Sequence, residues 1–429
     1  MAFAFERPLR RVVTMRRWRP ILSGALQREA LAAVAAVADD VAKSGERLRD
    51  PSLISGGAGL AVFHAYVRHA RLRPGGAPAT QHSLQKAVEA VASVTMGPML
   101  FGGFSGVAWA VAHLQGKRQS SDEEGPTEAV DAALVGFVSR PGWKGDFDLV
   151  SGLVGLGVYA LERLPSHAAI SLLESIIDRL EETAVRRPGG LTWHTRPSLI
   201  PRQQREVCPS GYDNLGLAHG APGVIALIGA AYASGIRRRV CRRLLAGAVP
   251  WLLRQRLENS PGARFPAWIA GRGKRGRCRS AWCYGDPGVA IALFTAARNA
   301  GERGWEREAL AIAHEAAQRP PAETGVVDAG LCHGAAGLAQ IYNRFFQATG
   351  HAAFRGAARF WFERALAMRR PGRAAGGFRI RDVDEKGRET WRAERGLFGA
   401  AGIALALLSA ATSIEPEWDR VLLLSTAQQ

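Results

Sequence analysis

Seven times this chain spells glycine, any two residues, glycine and then an aliphatic residue: Gly56–Gly59, Gly103–Gly106, Gly152–Gly155, Gly220–Gly223, Gly285–Gly288, Gly334–Gly337 and Gly399–Gly402. Their first glycines lie 47, 49, 68, 65, 49 and 65 residues apart, room each time for two helices and their connections. Behind the motifs come runs such as Val224–Ile228 and Ile403–Leu408, apolar nearly all round, as a helix buried on every side requires. Ahead of them, Trp305–Ala317 and Phe360–Met368 mix charged and apolar residues at helical spacing. A hairpin of this kind hides its apolar face only against its neighbours, so seven in phase predict an all-α protein, an α/α toroid of seven inner and seven outer helices.

Residues 1–45 read as a helical lead-in and 46–429 as one toroid domain. Strand signals are sparse, and the Pro- or Arg-rich stretches Arg196–Ser210 and Arg369–Thr390 read as loops over one end of the ring, near 190–215 and 369–395. No run of about eighteen apolar residues is present, and Met1–Pro20 holds no signal-like apolar stretch, so a soluble cytoplasmic protein is expected. The net charge of +18 raises the question of nucleic acid. Only six of the 56 basic residues are lysine, and the clusters Arg237–Arg239 and Arg272–Arg279 have no aromatic interleaving. No nucleic-acid partner is expected; a basic face of this kind suits an acidic peptide.

The five cysteines are an odd number scattered over a long chain, which speaks against a disulfide framework and for a reducing compartment. Metal ligation is the better use of two of them. Trp282-Cys283-Tyr284-Gly285 and Leu331-Cys332-His333-Gly334 place two thiols and an imidazole directly ahead of adjacent motifs. Cys283, Cys332 and His333 are three ligands without an equally placed fourth, the count of a catalytic zinc with one position open. One Zn²⁺ per chain is expected. Two thiolates and a neutral imidazole leave such a site formally neutral, and an incoming thiol would bind with its proton expelled. An unaided thiol, of pKa about 8.5, is mostly protonated at neutral pH.

The other noteworthy polar residues, Asp148 and His219, also precede their motifs by a few positions. In a ring, equal register means equal height, so Asp148, His219, Cys283, Cys332 and His333 should gather at the mouth where the inner helices begin. Simpler readings stand beside these: Asp148 could cap the helix near Gly152, His219 could be a core histidine bonded to a carbonyl, and Arg279 could belong to the solvated run Arg272–Arg279.

Taken together, Trp282-Cys283-Tyr284-Gly285, Cys332-His333-Gly334, Asn214-Leu215-Gly216-Leu217-Ala218-His219-Gly220 and the C-terminal Glu415-Pro416-Glu417-Trp418-Asp419-Arg420 resemble the lanthipeptide cyclase (LanC) family from about Ser55 onward. The resemblance implies the same α/α toroid, zinc on Cys283, Cys332 and His333, and site residues at His219, Asp148, Arg279 and Tyr284. It implies a stand-alone cyclase that adds peptide cysteine thiols to dehydroalanine or dehydrobutyrine, closing thioether rings in a dehydrated precursor peptide that carries a leader. A separate dehydratase and an export transporter are the implied partners, the latter a route to membrane association. Two other functions fit the same residues: a zinc-stabilised peptide-binding scaffold of such a complex, and a LanC-like enzyme that adds glutathione.

Overall fold

A computed structural model describes residues 18–44, 50–72, 76–116, 127–271, 276–373, 375–383 and 388–425. Residues 1–17 and 45 of the segment read as a lead-in, Arg272 to Arg275 of the basic run, and residues 374 and 384–387 of the second loop stretch lie outside them.

Helices alternate between outside and inside. In chain order they are α1 (Gly24–Ser44, outer), α2 (Gly57–His69, inner), α3 (Gly76–Val91, outer), α4 (Phe104–Gln115, inner), α5 (Glu128–Val138, outer), α6 (Leu153–Arg163, inner) and α7 (His167–Thr183, outer). After the short α8 (Arg202–Val207) follow α9 (Ala221–Ala233, inner), α10 (Arg238–Leu253, outer), α11 (Asp286–Ala300, inner), α12 (Arg303–Ala317, outer), α13 (Ala335–Thr349, inner), α14 (Ala352–Ala367, outer) and α15 (Ala400–Ala411, inner). The inner helices pack in the cyclic order α2, α4, α6, α9, α11, α13, α15 and back to α2. Among the described residues the α/α toroid is therefore closed, with seven helices in each ring.

Sequence explains the two rings. Every residue of α15 is buried, and its composition is Ala, Leu, Ile, Gly and one serine. In α7 only Ala169, Leu172, Leu173, Ile176, Ile177 and Leu180 are buried, a stripe at helical spacing on an otherwise polar helix. Ser166 caps α7 by accepting from the Ala169 N–H.

Within the segment read as a lead-in, α1 is the outer partner of α15, and so belongs to the ring. The seam is sealed by backbone: Ile21 and Leu22 N–H donate to the Ala410 carbonyl at 2.8 and 3.0 Å, and Trp18 Nε1 donates to the Ser409 carbonyl at 2.7 Å. An amphipathic lead-in and an amphipathic outer helix have the same sequence signature, so only the long-range contact distinguishes them.

The glycine motifs work by close approach. Ahead of α2, α4, α6, α13 and α15 the chain folds back so that its carbonyls accept from the first helical N–H groups, as in Ala335 N–H to Asp328, Ala336 to Ala329 and Gly337 to Gly330. These are the donors a helix start otherwise leaves unpaired. A Cβ on Gly334 or Gly337 would run into the Asp328 or Leu331 oxygens, and the same conflict recurs at both glycines of the other motifs.

Two regions read as loops carry strands. Strands β1 (Ala184–Arg187), β2 (Gly190–Thr195), β3 (Tyr212–Asn214) and β4 (Trp268–Ile269) form an antiparallel sheet in that order, with α8 in the β2–β3 connection. A separate hairpin pairs β5 (Ile380–Val383) with β6 (Glu389–Arg392), Arg381 opposite Trp391. The strands are only two to six residues long, too short to display the alternation that marks a half-buried strand.

At the end opposite the motifs, a 3₁₀ turn over Glu417–Leu422 plugs the bore. Asp419 is fully buried, paired bidentately with Arg344 at 2.8 Å on both oxygens and bonded by Gln340 Nε2 at 2.7 Å. Arg420 pairs with Glu162, which also bonds His113. Trp282 Nε1 donates up the bore to the Leu422 carbonyl at 2.9 Å.

Gly337→Ala should destabilise the protein by about 1–3 kcal/mol in urea unfolding, because the added methyl overpacks against Leu331. Gly136→Ala, in α5 with open space around it, should instead stabilise by about 0.5–1 kcal/mol. Asp419→Ala takes the bidentate partner from buried Arg344, which keeps Glu415 and the Pro416 carbonyl, and the acceptor from Gln340, and should cost about 3–5 kcal/mol.

Candidate metal centre

The loops that precede the inner helices are stitched together at one height. Leu149 N–H donates to the Ala218 carbonyl (3.1 Å), Ala218 N–H to Cys283 (3.3 Å), and the Trp282 and Cys283 N–H groups both to Cys332 (3.2 Å each). This belt joins the third to the sixth repeat. It brings Asp148, His219, Cys283, Tyr284, Cys332 and His333 to one mouth from positions spread along the sequence.

One sulfur from Cys283, one from Cys332 and a ring nitrogen of His333 lie within 4.8 Å of one another. Two soft sulfurs and a borderline nitrogen are the donor set zinc prefers, and a triangle of this size needs only small side-chain shifts to seat an ion about 2.0–2.3 Å from each. The residues fit the metal. Cys283 is pushed down to about 5 by a hydrogen bond from the Cys332 thiol, opposed by burial and helped by His333 and the Arg279 charge. Cys332 moves up, because the neighbouring Cys283 sulfur takes the first negative charge. His333 is raised by its hydrogen bond to Cys283.

Beside the thiols, His219 Nδ1 and Asp148 Oδ2 are 2.6 Å apart, and Asp148 Oδ1 accepts from Ser151 N–H at 2.6 Å. Asp148 thus fixes the imidazole with Nδ1 toward the carboxylate and leaves Nε2 for the opening. Burial lowers the His219 pKa, but the hydrogen bond and charge of Asp148 outweigh it and the net shift is upward. The Tyr284 ring stacks on His219 at 5.9 Å, and its hydroxyl accepts from Asn214 Nδ2 at 3.1 Å. Burial pushes the Tyr284 pKa up, so the phenol stays neutral. Arg279 is exposed, and its charge favours ionised sulfur at Cys283 and Cys332.

Six of the seven residues singled out from the sequence are thus drawn together at this mouth by contacts, and Arg279 acts on the thiols through its charge. Three others join the site without having been singled out from the sequence. Asn214, Asp146 and Asp328 stand six residues ahead of their motifs, the register that Arg279 also occupies, and that shared spacing was the available signal. Asn214 holds Tyr284. The Asp146 carboxyl, lifted to about 6 by burial and by Asp148, sits beside the His219 pair.

The fold and the site define a class: a closed α/α toroid with a two-cysteine, one-histidine cluster at the mouth of its bore. Residues 48–423 match the family described as lanthionine synthetase C-like protein, and the chain belongs to that family. The nisin biosynthesis protein NisC of Lactococcus lactis subsp. lactis is 23% identical over 269 residues, a match that covers 57% of this chain and 62% of that protein. The chain is thus aligned to somewhat less than two thirds of that relative's length. A solved nisin cyclase shares the fold, with a TM-score of 0.72 at 19% identity, covering 91% of this chain and 96% of that one.

In an NMR titration His219 should titrate above the ordinary 6.5, and Asp148→Asn should lower it, since burial is then opposed by the charges of Cys283 and Asp146 without the Asp148 hydrogen bond. A raised folded pKa gives stability that is fully present below the unfolded value and fades as pH climbs through the folded one. Asp148→Asn should therefore cost more at pH 6 than at pH 9 in urea unfolding.

Proposed function

We propose that this protein is a zinc-dependent lanthipeptide cyclase, which joins cysteine thiols of a dehydrated precursor peptide to its dehydroalanine or dehydrobutyrine residues. The observation that carries the reading is the contiguity of a zinc-type donor triangle with a His–Asp pair at one mouth. A zinc ion held by Cys283, Cys332 and His333 supplies Lewis acidity that ionises a substrate thiol at neutral pH.

The chain's own residues account for the remainder. Attack of the sulfur on the β-carbon of the dehydro residue forms one C–S bond and moves the π electrons onto the acceptor carbonyl oxygen as an enolate. Arg279, permanently charged, stabilises that oxygen. Collapse of the enolate takes a proton at the α-carbon, and His219 Nε2 delivers it, replenished by the proton released from the thiol. Asp148 keeps His219 protonated long enough for the transfer. Tyr284, which holds its proton tightly, orients the acceptor by hydrogen bonding.

The substrate reading brings partners with it: a leader-bearing precursor, a separate dehydratase that makes the acceptors, and an export transporter. A cytoplasmic location fits these partners. Among the described residues no helix is long and apolar enough to cross a membrane.

Cyclisation changes no mass but removes alkylatable thiols, so thiol alkylation followed by mass spectrometry reads it directly. The native protein should leave no free thiol in a dehydrated peptide. Cys332→Ala should fold, lose stoichiometric zinc and leave the thiols open to alkylation, and His219→Ala should slow ring closure about 10²–10⁴-fold. A Cys332→Ala protein that still closes rings at the native rate would end the proposal. Loss of folding or peptide binding in Cys332→Ala, with no ring closure by the native protein, would favour the scaffold instead.

A further inference from the structure

Six residues ahead of a motif, an acceptor side chain closes a tight turn: Asp50 Oδ1 accepts from Ser52 N–H, Asn214 Oδ1 from Gly216 N–H and Asp328 Oδ1 from Gly330 N–H, each at 2.8 Å. That turn uses one oxygen. Asp328 differs in what its second oxygen does. Its side chain is fully buried, and Oδ2 accepts from the Arg381 N–H of β5 at 3.0 Å while lying 3.7 Å from His333 Nε2. The Arg381 carbonyl faces the same nitrogen at 3.4 Å. The Asp328 carboxylate and the Arg381 carbonyl of the hairpin thus both face the Nε2 edge of the ring.

We infer that Asp328 is a positioning residue for the metal: it fixes the His333 tautomer with Nε2 protonated and Nδ1 presented to the ion, and pins hairpin β5–β6 to that ligand. The inference rests on the zinc reading above and adds a residue and a hairpin to it. A ligating imidazole binds best when its other nitrogen donates to a carboxylate or carbonyl, which sets the ring's orientation and raises its basicity. A buried carboxylate stays in place only if its oxygens are bonded, and here the turn bonds Oδ1 and the hairpin bonds Oδ2, beside the ligand.

Asp328→Asn separates the roles. Its amide oxygen can still close the turn on Gly330, but its NH₂ cannot accept from Arg381 or His333. Chelator competition on the full-length protein should show zinc affinity falling about 10–100-fold, and the Co²⁺-substituted protein should show an altered absorption spectrum. Asp50→Asn, the same change in the matching turn of the first repeat, should leave affinity within about twofold of native. Native affinity in Asp328→Asn, or an equal loss in Asp50→Asn, would overturn the inference. A long-range ¹H–¹⁵N correlation on the native zinc-loaded protein is independent of any variant: a proton on Nδ1 of His333 would refute it. Native protein that takes up no stoichiometric zinc would instead refute the underlying zinc reading, so the two failures are distinguishable.

Discussion

The structure depends on backbone oxygens packed against glycine. Ahead of every inner helix the chain doubles back, and its carbonyls cover the helix start at a distance that no side chain would permit. At α2, α4, α6, α13 and α15 this contact satisfies donors that would otherwise be orphaned in a dry barrel. It also sets the height of the residues just before the motif, and so it is the reason that chemistry from four repeats meets at one level.

Charge is arranged differently at the two ends of the bore. At the mouth, groups are left partly open: Arg279 is exposed, and His219 presents one nitrogen outward. At the far end everything is neutralised, with Asp419 against Arg344 and Glu162 against Arg420. Ion pairs this buried contribute little net stability, yet breaking one is costly, so they act to hold the terminal turn in a single register. Through Trp282 that turn touches the residue beside Cys283, and the two ends are mechanically continuous.

Much of this was legible in the residues. The spacing of the glycines carried the toroid, because a repeat that cannot bury its own face must close on its neighbours, and the register of Cys283, Cys332, His333, His219 and Asp148 carried the site. The rest was hidden for identifiable reasons. Asp328 and Asn214 look like ordinary turn residues, since the same position in the first repeat is one. The β5–β6 hairpin is rich in arginine and is tied down by Arg381 N–H on Asp328, a contact that spans 53 residues of sequence. The outer role of α1 needs a partner nearly four hundred residues away.

That seam, where Ile21 and Leu22 meet Ala410, bears on how the molecule assembles. A stack of helical hairpins open at both ends can grow or fray one unit at a time. A stack whose first and last units are each other's neighbours cannot, because every partial arc leaves two apolar flanks wet. Closure makes the final contact the one on which all others rely, and it turns a modular chain into an all-or-none cooperative unit.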